Sequence, residues 1–244
     1  MAQRRVPVTA PLHQRLGLRE RELVSIVGAG GKSTTMFTLG RELAGTQSKV
    51  IVTTTTRLAA DQVTEPSCWS DDPEVVEAAL VRGEALFVAT ELVPDKIIGS
   101  SPETVDRLFA ESTVDYVVVE ADGARSKLVK APAGHEPVIP SLSTVVLVVA
   151  GLDAIGQQIS EVAHRPGLMA GLIGSDSDEV LTAGGLAEVL LHPDGGLKGI
   201  PADARIVMMP TRLTFKERES AAELVELLIA HPRVERVVPT PMTS

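Results

Sequence analysis

The sequence predicts a three-layer α/β/α domain built on a mostly parallel sheet. Three observations carry that expectation. Apolar runs of strand length recur along the chain, several of them ending in a glycine, threonine or acidic turn. Segments with helical apolar spacing lie between them, and alternating βα units give a parallel sheet. Finally, 244 residues with 44% hydrophobic side chains can bury a sizeable core, which is compatible with one large domain. Aromatics are only 2% of the chain, so that core must be aliphatic.

The first strand is the apolar run 23–27. Gly28-Ala29-Gly30-Gly31-Lys32-Ser33-Thr34-Thr35 follows, and then a helix through Phe37, Leu39 and Leu43. Strand, glycine turn, Lys-Ser and helix together make a phosphate cradle, the P-loop. Glycines let backbone N–H groups converge on an anion, the helix start adds partial positive charge, and the lysine adds a full one. Gly28, Gly30, Gly31, Lys32, Ser33 and Thr34 are therefore candidate nucleotide contacts, with Lys32 also a candidate catalytic cation. The Ser33 hydroxyl is placed to ligand Mg²⁺. The usual loop, G-x-x-x-x-G-K-[ST], starts with glycine where this chain has Ile26. Its shorter G-x-x-G-K-S turn is similar to those of the Mur ligase and folylpolyglutamate synthase group of ATP-binding proteins. A glycine turn with no ligand is the plainer alternative, but it leaves a lysine set against the helix dipole without a reason.

Residues 49–52 form the second strand, which runs into Thr53-Thr54-Thr55-Thr56-Arg57. Ligands bind at the carboxyl ends of strands in open α/β sheets, so Thr55, Thr56 and Arg57 are candidate phosphate or metal contacts. Threonine also simply favours strands. A helix opens at Asp72-Pro73-Glu74 and runs to about residue 81. A strand over 85–89, a short extended or turn segment over 95–99, and a helix starting at Ser101-Pro102-Glu103 follow. Val105, Leu108 and Phe109 mark the inner face of that helix.

The next strand, 115–120, ends in an acid, and Glu120-Ala121-Asp122-Gly123 continues from it. An acid at the end of an apolar strand downstream of a P-loop can hold the Mg²⁺ shell or polarise water. Glu120 and Asp122 are thus candidate catalytic and metal-binding residues, two positions apart and facing one side if the strand continues. Arg125, Lys127 and Lys130 form a basic cluster in an acidic protein. Arg125 and Lys130 are candidate ligand contacts, with a solvated basic loop as the alternative. Prolines fix 132–140 as an extended, ordered loop. His135, within it, is a candidate catalytic residue, although a lone histidine beside a glutamate is more often structural.

Residues 28–35, the 53–56 threonine run, Glu120-Ala121-Asp122-Gly123, Lys130-Ala131-Pro132, His135-Glu136-Pro137-Val138-Ile139-Pro140 and Gly151-Leu152-Asp153 together resemble the YqeC family. The resemblance covers roughly 23–165. It implies a P-loop nucleotide-binding fold and a part in maturing a selenium- or molybdenum-containing cofactor, as accessory protein to a selenium-dependent molybdenum hydroxylase. It also strengthens the case for His135. A molybdopterin-type cofactor or the hydroxylase itself then joins the nucleotide as an expected partner.

Residues 144–150 form another central strand ending at Gly151-Leu152-Asp153, which makes Asp153 a candidate contact. Helical segments over 168–173 and 181–191 suggest a small helical insertion at about 154–200 in an otherwise single domain, 1–244. A late strand over 204–209, an amphipathic helix over 216–230 and a last strand over 234–238 complete the chain. After the late strand, Met209-Pro210-Thr211-Arg212-Leu213-Thr214 lacks the Asn/Thr-Lys-x-Asp that reads guanine in P-loop GTPases. The family often shows something Asn-Lys-like there, so ATP is favoured over GTP only by the short loop.

A net charge of −9 and pI of about 5.1 argue against nucleic acid as the main partner. Cys68 stands alone, so neither a disulfide framework nor a cysteine zinc site is expected. Arg4 and Arg5 precede no apolar stretch of signal-peptide length, and the longest apolar run, 145–150, is far short of a membrane span. A cytoplasmic protein with no membrane partner is the expectation. The leading functional expectation is Mg²⁺-dependent NTP hydrolysis or phosphoryl transfer. Its rivals are a non-catalytic nucleotide-gated chaperone or carrier and a module that binds an anionic pterin phosphate without turnover.

Overall fold

A computed structural model describes residues 9–241; Arg4 and Arg5 lie outside them. Eight strands form one sheet: β1 (Glu22–Gly28), β2 (Val50–Thr54), β3 (Ser67–Cys68), β4 (Ala85–Val88), β5 (Tyr116–Glu120), β6 (Val145–Gly151), β7 (Arg205–Thr211) and β8 (Val234–Val237). Their order across the sheet is β8-β7-β6-β1-β5-β2-β4-β3, and every pairing is parallel. The expected α/β class holds.

Helices cover both faces: α1 (Leu12–Leu16), α2 (Lys32–Ala44), α3 (Pro73–Ala79), α4 (Pro102–Glu111), α5 (Ile159–Val162), α6 (Pro166–Leu172), α7 (Ala183–Leu191) and α8 (Arg218–Ile229). Strand residues alternate between the faces. Val24, Ile26, Leu147, Val149 and Val207 point to α1 and α2, where Leu16, Met36, Leu39 and Leu43 meet them. On the opposite face Val146, Val148, Ala150, Ile206 and Met208 lie under Leu186, Leu190, Leu224 and Leu228 of α7 and α8. Leu23, Ile51, Val117 and Val119 lie under Val76, Val105, Leu108 and Phe109 of α3 and α4. Full burial of each such aliphatic side chain is worth about 1.5–3 kcal/mol, which is why these runs select the sheet interior.

Helix starts follow the sequence signals. Asp72 accepts hydrogen bonds from the backbone N–H groups of Glu74 and Val75, with Pro73 in the first turn. Ser101 caps α4 through the N–H of Thr104, and Thr182 caps α7 through the N–H of Gly185. The helices within 154–200 share their core with the sheet, since Ile159, Val162, Met169 and Val189 belong to the cluster that contains Val146 and Ile206.

Several features exceed the sequence expectation, α1 and the edge strand β3 among them. The 95–99 segment becomes a strand, Lys96–Ile98, in an antiparallel ribbon with Arg57–Ala59 and Glu91–Val93. Strands of three residues are too short to show a period of two. The two-residue strand Val129–Lys130 pairs with Ala163–His164 and ties the loop after β5 to the start of α6. No helix among the described residues is long and apolar enough to cross a membrane.

Candidate functional site

The glycine turn sits at the carboxyl end of the central strand. Gly28, Gly30 and Gly31 have φ of 94°, 81° and 129°. A Cβ on Gly28 would lie 2.1 Å from the Val149 carbonyl oxygen, and one on Gly30 would lie 2.6 Å from both Gly151 N and Leu128 O. Left-handed backbone and close strand approach both demand glycine here. The loop is pinned by the Ala29 N–H donating to Val149 O at 2.9 Å and by the Thr211 hydroxyl donating to Gly30 O. Helix α2 then begins at Lys32 with Gly31 as N-cap and no side-chain cap, so its first N–H groups have no side-chain acceptor. That is the arrangement that binds anions.

Strand β5 lies beside β1, with Glu120 opposite Ile26. The strand stops at Glu120, so alternation does not decide where Asp122 points, yet both carboxylates reach Lys32. Its Nζ is 3.6 Å from Glu120 Oε1 and 3.5 Å from Asp122 Oδ1. The Ser33 hydroxyl donates to Glu120 Oε2 at 2.7 Å. Asp122 Oδ2 accepts from the Gly28 N–H at 3.1 Å and faces Lys130 Nζ at 3.1 Å, while its Oδ1 makes no hydrogen bond. Lys32, Glu120, Asp122 and Lys130 are all buried.

A second tier stands behind them. Lys130 Nζ donates to Glu136 Oε2 at 2.7 Å and to Gly123 O at 2.6 Å. Arg165 grips the same Glu136 carboxylate with two donors, at 2.8 and 2.9 Å. Burial pushes the Glu136 carboxyl up, but bonds from Arg165 and Lys130 outweigh it and hold the group down at about 2. His164, beside Arg165, is lowered by burial and by the cations Arg165 and Lys130. Three carboxylates (Glu120, Asp122, Glu136) and three cations (Lys32, Lys130, Arg165) therefore make one neutral chain of charge, buried from Lys32 to Lys130 and half-buried at Glu136 and Arg165.

The other sequence candidates fall into distinct places. Thr55 donates its hydroxyl to Val138 O at 2.7 Å, and Thr54 donates to Glu120 O at 2.9 Å, so these hydroxyls fasten neighbouring loops. Thr56 is half-buried beside Thr54, 3.2 Å between hydroxyls. Arg57 and Arg125 line the cleft in front of Lys32 together with Thr34. Asp153 follows β6 and pairs with Arg212 at 2.6 Å. His135 is not brought into the cluster: its side chain is 80% exposed and 3.9 Å from Glu136. Its neighbour, the half-buried Glu136, joins the cluster instead.

Glu136, Arg165, Thr211 and Arg212 were not singled out from the sequence. Glu136 stood in the quoted loop but a histidine was the more familiar functional residue. Arg165 is 29 positions from Glu136, a separation no local pattern reports.

Two spaces open around the turn. The open cleft facing Lys32, Ser33 and Glu120 has a volume of about 440 Å³. A groove of about 230 Å³ on the other side of the helix start is lined by Leu12, Thr38, Met209, Thr211, Arg212 and Thr240. Gly30, Gly31, Thr34 and Arg212 border both. No group of three or more His, Cys, Asp or Glu residues suited to a metal occurs among the described residues. Ser33 Oγ and the Glu120 carboxylate are two hard oxygen donors in contact, which suits Mg²⁺ when phosphate and water complete its shell. Asp122 suits it less, being held by Gly28, Lys32 and Lys130.

The family described as YqeC protein matches residues 24–167, a span that holds the glycine turn, both carboxylates and the Glu136–Arg165 pair. The chain belongs to the YqeC family. It is also 33% identical over 217 residues to the Escherichia coli K12 protein named "Uncharacterized protein YqeC", covering 87% of this chain and 84% of that one. The YqeC match begins inside β1 and ends in the first turn of α6, so β7, which carries Met209 and Thr211, and the Thr240–Pro241 segment of the groove wall lie beyond it.

Proposed function

We propose that this protein binds a nucleoside triphosphate with Mg²⁺ at the glycine turn and hydrolyses it or transfers its terminal phosphoryl group. The observation that carries the reading is the contact of Ser33 with Glu120 at the mouth of a three-glycine turn, with Lys32 alongside. The α2 start and Lys32 would cradle the phosphates, and the nucleoside would lie in the groove by Met209 and Thr211. Ser33 and Glu120 would hold Mg²⁺, which supplies charge neutralisation of the phosphates when bound. Asp122 keeps the turn in shape through the Gly28 N–H and holds Lys32 and Lys130 in place. Moving Lys32 off its carboxylates and onto phosphate needs no change of fold, only of partner. The place we assign to this activity is the maturation of a selenium- or molybdenum-containing hydroxylase cofactor, on the strength of the family.

A nucleotide-gated carrier is the second reading, favoured by one observation. The chain Asp122–Lys130–Glu136–Arg165 ties the turn to the start of α6, so a change of partner at Lys32 can reach the helical segment. Binding of ATP and GTP with Mg²⁺, measured alongside phosphate release and with Lys32→Ala as control, separates the two. Turnover lost in Lys32→Ala supports the enzyme, and tight binding without release supports the carrier. If neither nucleotide binds, both readings fail.

A further inference from the structure

The nucleotide reading leaves a set of cations unused. The charge cluster is neutral in itself, so it offers a polyanion little net charge. Arg57, Lys96 and Arg125 line the same cleft and are exposed. None of them has a carboxylate within ion-pair distance among the described residues. In a protein of net charge −9, three unpaired cations converging on one concavity call for a ligand.

Their placement is built into the fold. In the ribbon, Arg57 stands opposite Ile98 and Ala59 opposite Lys96. Cross-strand partners share a face, so Arg57 and Lys96 lie on one side of the ribbon. Leu58 and Ile97, 3% and 1% exposed, lie on the other and anchor it in the core. The two cations therefore ride on a packed element. Across the cleft, Arg125 and Ser126 are consecutive non-glycine residues in the left-handed region, φ 46° and 59°. Such backbone is costly and gathers at ligand clamps and active sites.

The ribbon and the nucleoside groove lie on opposite sides of the α2 start. Thr211, in the groove, ends β7, two strands from β1 on one side, and Arg57 follows β2, two strands away on the other. Four strand spacings amount to roughly 19 Å. A nucleotide with its base in the groove and its terminal phosphate at Lys32 thus leaves the ribbon cations beyond that phosphate.

We propose that the cleft holds a second ligand, a small phosphate-bearing molecule gripped by Arg57, Lys96 and Arg125 next to the nucleotide's terminal phosphate. Guanidinium forks match phosphate oxygens in pairs, and the acidic surface of the whole protein disfavours a polymeric anion. The proposal rests on the nucleotide reading for the position of the terminal phosphate, but the cation site can be tested apart from it.

The experiment is calorimetric titration of inorganic pyrophosphate into protein saturated with a non-hydrolysable ATP or GTP analogue and Mg²⁺. One equivalent of pyrophosphate should bind on top of the nucleotide. The double variant Arg57→Gln/Lys96→Gln should weaken it tenfold or more, with less than a twofold change in analogue affinity and an unchanged melting temperature. Pyrophosphate that binds only in competition with the analogue, that fails to bind, or whose loss in the double variant is matched by equal loss of nucleotide overturns the proposal. If no nucleotide binds, the same titration on the free protein still decides. Pyrophosphate binding removed by Arg57→Gln/Lys96→Gln but kept by Lys32→Ala sustains the ribbon site while the nucleotide reading falls. Binding lost only in Lys32→Ala overturns the ribbon site.

Discussion

Replacing Glu136 by glutamine should destabilise the protein at neutral pH and much less in acid. The wild-type carboxylate accepts from Lys130 at 2.7 Å, from Arg165 at 2.8 and 2.9 Å, and from the Ala133 N–H at 3.4 Å. Its carboxyl is held at about 2, against an ordinary 4.5. That depression corresponds to about 3 kcal/mol of linkage, which partial solvent access at the loop reduces to about 1–2 kcal/mol. Because the folded value is lowered, the contribution is complete above the ordinary carboxyl range. It is lost as pH falls from about 4.5 towards 2. Glutamine keeps the shape but removes the charge; Lys130 retains Asp122 and Gly123, whereas Arg165 retains only the Ala131 carbonyl. Urea denaturation at pH 7 should show a deficit of about 2 kcal/mol, the upper end of the discounted linkage, since the bonds from Arg165 and Lys130 are what lower the carboxyl. At pH 3 the deficit should be less than half of that, since most of the titration window has then been crossed. An equal deficit at both pH values would refute the electrostatic account. So would a His135→Ala variant that costs as much, because His135 should be neutral to stability.

Other substitutions probe the rest of the site. Gly28→Ala places a methyl 2.1 Å from the Val149 carbonyl at a φ of 94°, so a loss of more than about 3 kcal/mol is expected in the same denaturation assay. Gly123→Ala, which meets nothing within 4 Å, should cost far less, and equal costs would show that the turn is not tightly packed. Ser33→Ala and Glu120→Gln should each raise the Mg²⁺ concentration needed for nucleotide binding about tenfold, equivalent to roughly 1.4 kcal/mol. Nucleotide binding whose Mg²⁺ dependence is unchanged in both variants would remove these residues from the metal's shell. Thr55→Val deletes the bond to Val138 O and should cost about 1 kcal/mol of stability with nucleotide affinity intact. A tenfold affinity loss there would return Thr55 to the ligand.

Most of the central sheet could be read because its inner strands are almost wholly buried. Runs such as 145–151 and 23–27 are apolar on both faces, and only the interior of a sheet covered on both sides buries both. The ribbon carrying Arg57 and Lys96 could not, because its strands are three residues long and its pairing joins positions nearly forty apart. In the site, Gly28 to Ser33, Glu120 and Asp122 were legible from residue type and from their place at strand ends. The threonine run was legible as a site-edge element, but the choice between ligand and loop carbonyl for each hydroxyl depends on what the fold brings within 3 Å.

The sequence by itself determined most of the sheet, the glycine turn and the acids at and just after the end of β5, since each follows from local pattern: apolar runs, left-handed backbone that only glycine adopts freely, and strand-end position. Tertiary structure alone decided which charges meet. Lys130, Glu136 and Arg165 are joined by the pairing of Val129–Lys130 with Ala163–His164, and His135 turns outward while its neighbour turns in. Burial makes such a meeting decisive, because a charge taken out of water must find its partner across the fold, and no spacing along the chain records where that partner stands.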